Sequence, residues 1–260
     1  DDWIELHNAG NNDVNIGGWY LSDKESKPKK WAIPQGTIIE AGGYLLFWAS
    51  GRDVAVDGNF HTNFKFTQTN GDEFVILANA AGTIIDKTPV ELTALSHSRG
   101  RRAGQGLTWF IFTQPTPGYA NEGAWYKAYT PRPKIQTKAG FYDNAITTEV
   151  NGTAGFDLRY TLDGRNVSED DEIYTGSIEI DATSVLKVRH FSTDTLVLPG
   201  LMDFATFFIN EPETKLPVVS VASDEAITLA DGDRNLNPIS SFEYFDRNGE
   251  KKATSFGELD

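Results

Sequence analysis

The sequence predicts an all-β protein with two antiparallel β-sandwich domains in tandem and a short, partial C-terminal segment. Three observations carry this reading. Apolar residues alternate with a period of two over most of the chain, and no helical period persists long enough for a helix. A break rich in proline, near residues 113–134, separates two strand-rich blocks.

The first block opens on "DWIELHN", which puts Ile4 and Leu6 on one face and Trp3, Glu5 and His7 on the other. "NAGNNDVN" follows as a turn, rich in residues that tolerate positive φ, and "GGWYLSD" as a strand. "YLLFWAS" (44–50) and "FVILANA" (74–80) are short, continuous apolar runs, suited to strands covered on both faces or packed under loops. "AAGTIID" marks a hairpin with Gly82 at its turn.

The break, "TQPTPGYANEGAWYKAYTPRPK", contains Pro115, Pro117, Pro131 and Pro133 and has no alternation. It reads as the end of a domain covering residues 1–121 and a linker at 122–133. Trp125, Tyr126 and Tyr129 fall within it. Either these rings pack at a domain junction, or they form a platform on which a sugar or base stacks. They are the candidate ligand-binding residues.

Alternation returns over residues 134–211. "FDLRYTL" places Phe156, Leu158, Tyr160 and Leu162 on one face and Asp157, Arg159 and Thr161 on the other. "SVLKVRHF" and "DFATFFIN" add strands to what reads as a second small sandwich. In residues 212–260, "LPVVSVASDEAITL" reads as a strand leading into a loop or short helix. "ISSFEYFDRNGEKKATSFGELD" reads as a hairpin turning at Asp246–Gly249. So few strands make a poor independent domain, and the segment is expected to begin a third domain that continues beyond the sequence. The opening "DDWIELHN", without an initiator Met, is read as a processed or trimmed N-terminus.

The 260 residues are 39% hydrophobic and 12% aromatic, enough to build real cores. The absence of cysteine excludes a disulfide framework, a thiolate metal site and a cysteine nucleophile. A net charge of −14 opposes binding to a phosphate backbone, so no nucleic-acid partner is expected. The best candidate for a basic patch, "SRGRRAG" at 98–104, reads as a charged, solvated loop. No apolar run is long enough for a membrane-spanning helix, so no membrane insertion is expected.

The stretches "DWIELHN", "GWYLSD", "WAIPQGTIIEAGGYLLFWAS", "HTNFKF", "DEFVILANAAGTIID" and "PTPGYAN" together resemble the lamin tail domain family over residues 1–121. The resemblance implies an immunoglobulin-like sandwich. That family usually has a strand before "WIEL", and here only Asp1 and Asp2 precede it, so either that strand is trimmed away or the sandwich has an open edge that invites pairing with another chain. "FYDNAITTEV", "LRYTLDGRNV", "IYTGSIEI", "VLKVRHF" and "FATFFIN" resemble the C-terminal domain of chitobiase and β-hexosaminidase enzymes, which carries no catalytic residue to transfer. The final stretch is similar to the start of the CotH kinase-like family, found with the other two in bacterial cell-surface proteins.

Asp163-Gly164 in "YTLDGRN" signals a type I′ hairpin turn. The run Glu169, Asp170, Asp171 and Glu172 lacks calcium-loop spacing and reads as a solvated connection. "DGDRNLN" (231–237) places Asp231, Asp233 and Asn235 at EF-hand ligand positions. Leu236 then stands where Gly is required and Phe242 where Glu is required, so no metal site is assigned. His7, His61, His97 and His190 are scattered, and no nucleophile elbow, phosphate loop or dinucleotide fingerprint is present. The sequons "NGT" (151–153) and "NVS" (166–168) mark exposed turns.

The expectation is a non-enzymatic binding or scaffold region of a larger bacterial secreted or cell-surface protein. It has no catalytic residues, metal or cofactor, and it positions a downstream CotH kinase-like domain. Its partner is a protein or a carbohydrate at the cell surface. The alternatives are a carbohydrate-binding module and, behind it, a metal-dependent enzyme.

Overall fold

A computed structural model describes residues 2–69, 71–212, 215–232 and 236–258. The chain divides into two compact units, residues 1–125 and 126–260.

The strands of the first unit, in order, are β1 (Asp2–His7), β2 (Val14–Asn15), β3 (Tyr20–Ser22), β4 (Trp31–Ala32), β5 (Ile38–Ile39), β6 (Tyr44–Ala49), β7 (Val54–Val56), β8 (Asn59–His61), β9 (Phe74–Ala78), β10 (Ile84–Pro89), β11 (Ser98–Arg101), β12 (Trp109–Phe112) and β13 (Trp125–Tyr126). One sheet runs β1-β6-β8-β7 and another β10-β9-β3-β4, with β11-β12-β13 as a smaller third. The alternation of "DWIELH" decides which residues face the core. Ile4 lies opposite Phe47 and Leu6 opposite Leu45, and these four help form a core with Leu21, Trp31, Ile33, Ala49 and Phe64. β1 is an edge strand of its sheet. The β9–β10 hairpin turns where expected: Gly82, at φ 92°, donates its N–H to Asn79 O.

"SRGRRAG" differs from expectation. Ser98–Arg101 is a strand and not a loop, because its arginines have acidic partners. Arg101 forms a two-pronged pair with Asp86, and Arg99 pairs with Glu91.

The second unit continues with β14 (Ala128–Tyr129), β15 (Lys134–Ile135), β16 (Gly140–Tyr142), β17 (Ile146–Thr148), β18 (Val150–Asn151), β19 (Asp157–Thr161), β20 (Glu172–Ile173), β21 (Ile178–Ile180), β22 (Ser184–Phe191), β23 (Val197–Leu198), β24 (Asp203–Ile209), β25 (Val218–Ala222), helix α1 (Ala226–Ala230), β26 (Ile239–Phe245) and β27 (Lys251–Glu258). A five-stranded sheet, β16-β24-β22-β19-β20, lies at its centre. One face of that sheet carries Leu158, Leu186, Val188, Ala205, Phe207 and Ile209, packed with Ile135, Val150, Ile178 and Ile180 from the small facing ladders.

The other face is also covered. Phe204 packs near Phe256 and Phe208 meets Phe245 edge-on at 5.3 Å, so the β25-β26-β27 sheet forms a third layer. "DFATFFI" is apolar at nearly every position because it is buried from both sides. The last hairpin turns at Asp246–Gly249, where Asp246 N donates to Glu250 O and Gly249, at φ 72°, donates to Asp246 O.

The Asp163-Gly164 stretch is not a two-residue hairpin. Gly164 has φ 81°, but the chain then loops on to residue 171 before β20 pairs Ile173 with Arg159. Nor is the acidic run wholly solvated, since Asp171 is buried.

Candidate functional site

Three places bring polar or aromatic groups together. The first is the aromatic stretch at 125–129. Trp125 sits on β13 beside β12 and meets the Phe110 ring edge-on, with centroids 4.7 Å apart, and the Arg102 guanidinium lies 5.8 Å from the Trp125 ring. Trp125 is therefore half-buried against its own sheet. Tyr126 and Tyr129 are half-buried as well, and Tyr129 lies on β14, paired in parallel with Leu198 of β23. Trp125 falls in the first unit and the two tyrosines in the second. Residues 127–133 are tied to the second sandwich. Thr130 Oγ1 donates to His190 O (3.0 Å) and Gly200 N donates to Thr130 Oγ1 (2.7 Å). The buried His190 ring donates from Nδ1 to Pro131 O (2.7 Å) and accepts from Thr153 N at Nε2 (3.0 Å). These partners hold the ring in a structural role.

The second place is the outer face of the β1–β6 ladder. Cross-strand pairing puts Trp3 beside Trp48, Glu5 beside Leu46 and His7 beside Tyr44 on the face turned away from the core. His7 and Tyr44 stack at 4.3 Å with their planes 7° apart, and Trp48 stacks on His61 at 6.4 Å. Trp3, Tyr44 and Trp48 are half-buried and His7 is exposed. The "PTPGYAN" segment reaches back to this face, where Gly118 N donates to Glu5 Oε2 at 2.5 Å. Burial raises the Glu5 carboxyl above its ordinary range, against the lowering pull of Gly118 and His7. Burial, with the charges of Glu5 and Glu122, raises the Tyr44 phenol. The result is a row of rings with one hydrogen-bonding carboxyl among them. Nearby, Ser50 Oγ lies 2.9 Å from His61 Nδ1, but Ser50 is only 3% exposed, so the pair offers no accessible nucleophile.

The third place is the seam between the central and terminal sheets of the second unit. Glu243, 1% exposed, accepts from Thr206 N at 2.6 Å and pairs with Lys251 Nζ at 2.8 Å. Thr206 Oγ1 and Ser220 Oγ share a 2.7 Å hydrogen bond. Lys187 is fully buried and donates to Ala222 O (2.8 Å) and Asn166 Oδ1 (3.0 Å). Asn166 Nδ2 in turn donates to Asp224 Oδ2 (3.0 Å) and Ile239 O (2.9 Å), while Asn166 N donates to Asp224 Oδ1 (2.8 Å). Burial lowers the Lys187 amine to about 8, against the raising pull of Asp224 and Asp163. The loop before β20 is pinned by Asp171, which accepts from Ser168 N, Ser168 Oγ and the Arg165 guanidinium. Burial alone would raise the Asp171 carboxyl, but the Arg165 and Ser168 hydrogen bonds outweigh it and hold it below the carboxylate range.

Sequence reasoning missed this seam. In the sequence Lys187 falls within the strand "SVLKVRHF" with nothing to mark it, and Asn166 opens a sequon that signals an exposed turn. The available signal was the apolar character of β24 on both faces, which requires a covering layer. Among the described residues, no group of three or more His, Asp and Glu side chains is placed to hold a metal ion. Asp233 and Asn235 of the loop at 231–237 lie outside the described residues.

Residues 1–90 match the family model described as Lamin Tail Domain, and residues 137–196 match that of the Chitobiase/beta-hexosaminidase C-terminal domain. No curated protein and no solved structure matches the chain. Both matched families are immunoglobulin-like β-sandwiches, and this chain is an all-β protein carrying two such sandwiches one after the other, with a short segment beyond them.

Proposed function

We propose that this chain is a non-catalytic binding and scaffold region of a larger bacterial secreted or cell-surface protein, and that it positions a downstream CotH kinase-like domain. The observation that carries the reading is the seam of the second unit. A family-matched sandwich is extended there by a third layer, held through buried Glu243 and Lys187. Such a body suits the presentation of whatever follows it in a fixed direction. The matched families and the burial of Ser50 support the non-catalytic reading. The test is turnover. The purified chain should neither hydrolyse glycosides or esters nor transfer phosphate from ATP with magnesium or manganese, and a measured rate abolished by one side-chain change would overturn the proposal.

A second reading, glycan recognition, is favoured by the outer face of the β1–β6 ladder. Trp3, Tyr44 and Trp48 offer rings, and Glu5 and His7 offer hydrogen bonds, the combination that sugar rings stack on and bind. A glycan array of the parent beside a Trp3→Ala, Tyr44→Ala, Trp48→Ala variant tests it. Binding lost in the variant supports this reading, and silence from the parent removes it.

A further inference from the structure

We propose that the second unit forms an intramolecular isopeptide bond between Lys187 Nζ and Asn166 Cγ, assisted by Asp224. The reacting groups already touch, with Lys187 Nζ 3.0 Å from Asn166 Oδ1. The partners fix which way the amide points. Only its oxygen can face the amine, and only its NH2 can face the two acceptors, Asp224 Oδ2 and Ile239 O. The amine, fully buried on β22, is aimed by its second bond to Ala222 O at 2.8 Å.

The loop bearing Asn166 is held on both sides of it. Thr161 Oγ1 donates to Arg165 O at 3.0 Å, and Val167 N donates to Met202 Sδ at 3.4 Å. Gly164 lets the loop press close: at φ 81°, a Cβ there would meet the Ala222 Cβ at 2.9 Å. Orienting two reactants in this way supplies much of the barrier lowering in intramolecular acyl transfer.

The step balances without any co-reactant. The neutral amine of Lys187 attacks Asn166 Cγ and forms a C–N bond, and the carbonyl π electrons move to Oδ1. The Asp224 carboxylate takes the proton released by the new ammonium and delivers it to Nδ2. The Cγ–Nδ2 bond breaks and ammonia leaves, so that a primary amine and a primary amide become a secondary amide and ammonia. An amine lowered to about 8 is neutral in about one molecule in ten at pH 7, far more often than a solvated lysine.

The link would close the chain between positions 166 and 187, in a protein that has no cysteine for a disulfide. It is independent of what the protein binds, so its failure would leave the proposed function standing.

Intact-mass spectrometry of the whole chain tests it, both as purified and after long incubation above the amine's titration range. The expected result is a mass below that of the sequence by one ammonia. Tryptic digestion should then yield a branched peptide joining the segments around Asn166 and Lys187. Asn166→Ala and Lys187→Ala should keep the full mass. The parent measurement decides the matter even if a variant fails to fold. A parent that keeps its full mass overturns the proposal. So does an ammonia loss that maps to a succinimide at Asn70, Asn151 or Asn248, each followed by glycine, and disappears on mild alkaline hydrolysis.

Discussion

Glu243 provides the sharpest test of how the third layer is held. Its carboxylate reaches from β26 to the N–H of Thr206 on β24. Thr206 needs that partner because β16 pairs only with Phe207–Ile209 and ends before it. In Glu243→Ala the buried N–H of Thr206 loses its charge-assisted acceptor, a loss of about 1.5–3 kcal/mol. Removing a buried charge also relieves its desolvation, which offsets part of this. Lys251 is 34% exposed and re-solvates, so its pairing adds little. The expected net loss is about 1–3 kcal/mol in the second unit. Glu243→Gln keeps an oxygen for Thr206 and should lose about half as much. The assay is urea unfolding with two probes. The six tryptophans, at 3, 19, 31, 48, 109 and 125, all lie in the first unit, so their fluorescence follows that unit alone. Far-UV circular dichroism follows both units together, and amide exchange along β24 follows the second. A loss below about 0.5 kcal/mol, or unchanged protection of the Thr206 amide, would refute the reasoning.

Other predictions follow from the same contacts. Asp171→Asn should lose about 1 kcal/mol at neutral pH, a modest figure because Arg165 is 44% exposed. Because the folded carboxyl is held low, its contribution is present above the unfolded value near 3.8 and is lost as pH falls through the lower folded one, so parent and variant unfolding curves should converge in acid. Gly200→Ala would place a Cβ 2.0 Å from Thr130 O and should destabilise the second unit by about 1–3 kcal/mol or more in thermal unfolding. A Trp125→Ala, Tyr126→Ala, Tyr129→Ala variant should keep any glycan binding that the Trp3, Tyr44, Trp48 variant loses, as read by retention on the same glycan surface. Where Lys187 remains a free amine, as in Asn166→Ala, its lowered folded value means that the unfolded chain holds more protons between about 8 and 10.5. Stability should therefore rise across that window by about 3 kcal/mol relative to the linked parent, measured by urea midpoints at each pH.

Much of the fold was legible in the sequence. Alternation in "DWIELHN" named Ile4 and Leu6 as inward, and alternation in "FDLRYTL" named Leu158, Tyr160 and Leu162, although Thr161 on the opposite face of that strand is buried as well. The turns at Gly82 and at Asp246–Gly249 were legible because positive φ demands particular residues. "SRGRRAG" was misread because its charges are matched by Asp86 and Glu91, which precede it in the chain and meet it only in the fold. Asp171 was misread for a related reason: an acidic run looks solvated until one member finds Arg165 and the Ser168 amide. The Trp3, Tyr44 and Trp48 row needed the β1–β6 register, which neither strand contains by itself.

Lys187, Asn166 and Glu243 share one cause. A strand such as β22 normally exposes alternate residues, so a lysine in "SVLKVRHF" reads as the solvent-facing member. Here the opposite face is roofed by strands that follow in the chain, and the lysine is enclosed by the layer that also supplies its acceptor, Ala222 O. Polar groups in such a seam cost desolvation that an apolar seam would avoid, and the common return is a fixed register between layers. Glu243 and Ser220, each bound to Thr206, set that register at one point, and Asn166 and Asp224 set it at another. The first pair acts through hydrogen bonds alone. The second places an amine, an amide and a carboxylate in contact, the set needed to make the attachment of Asn166 to β22 covalent. A closure of roughly twenty residues would stabilise the sandwich by about 3 kcal/mol through the unfolded chain. That is comparable to what the Glu243 contacts contribute through the folded one, so a chain without cysteine can draw on both.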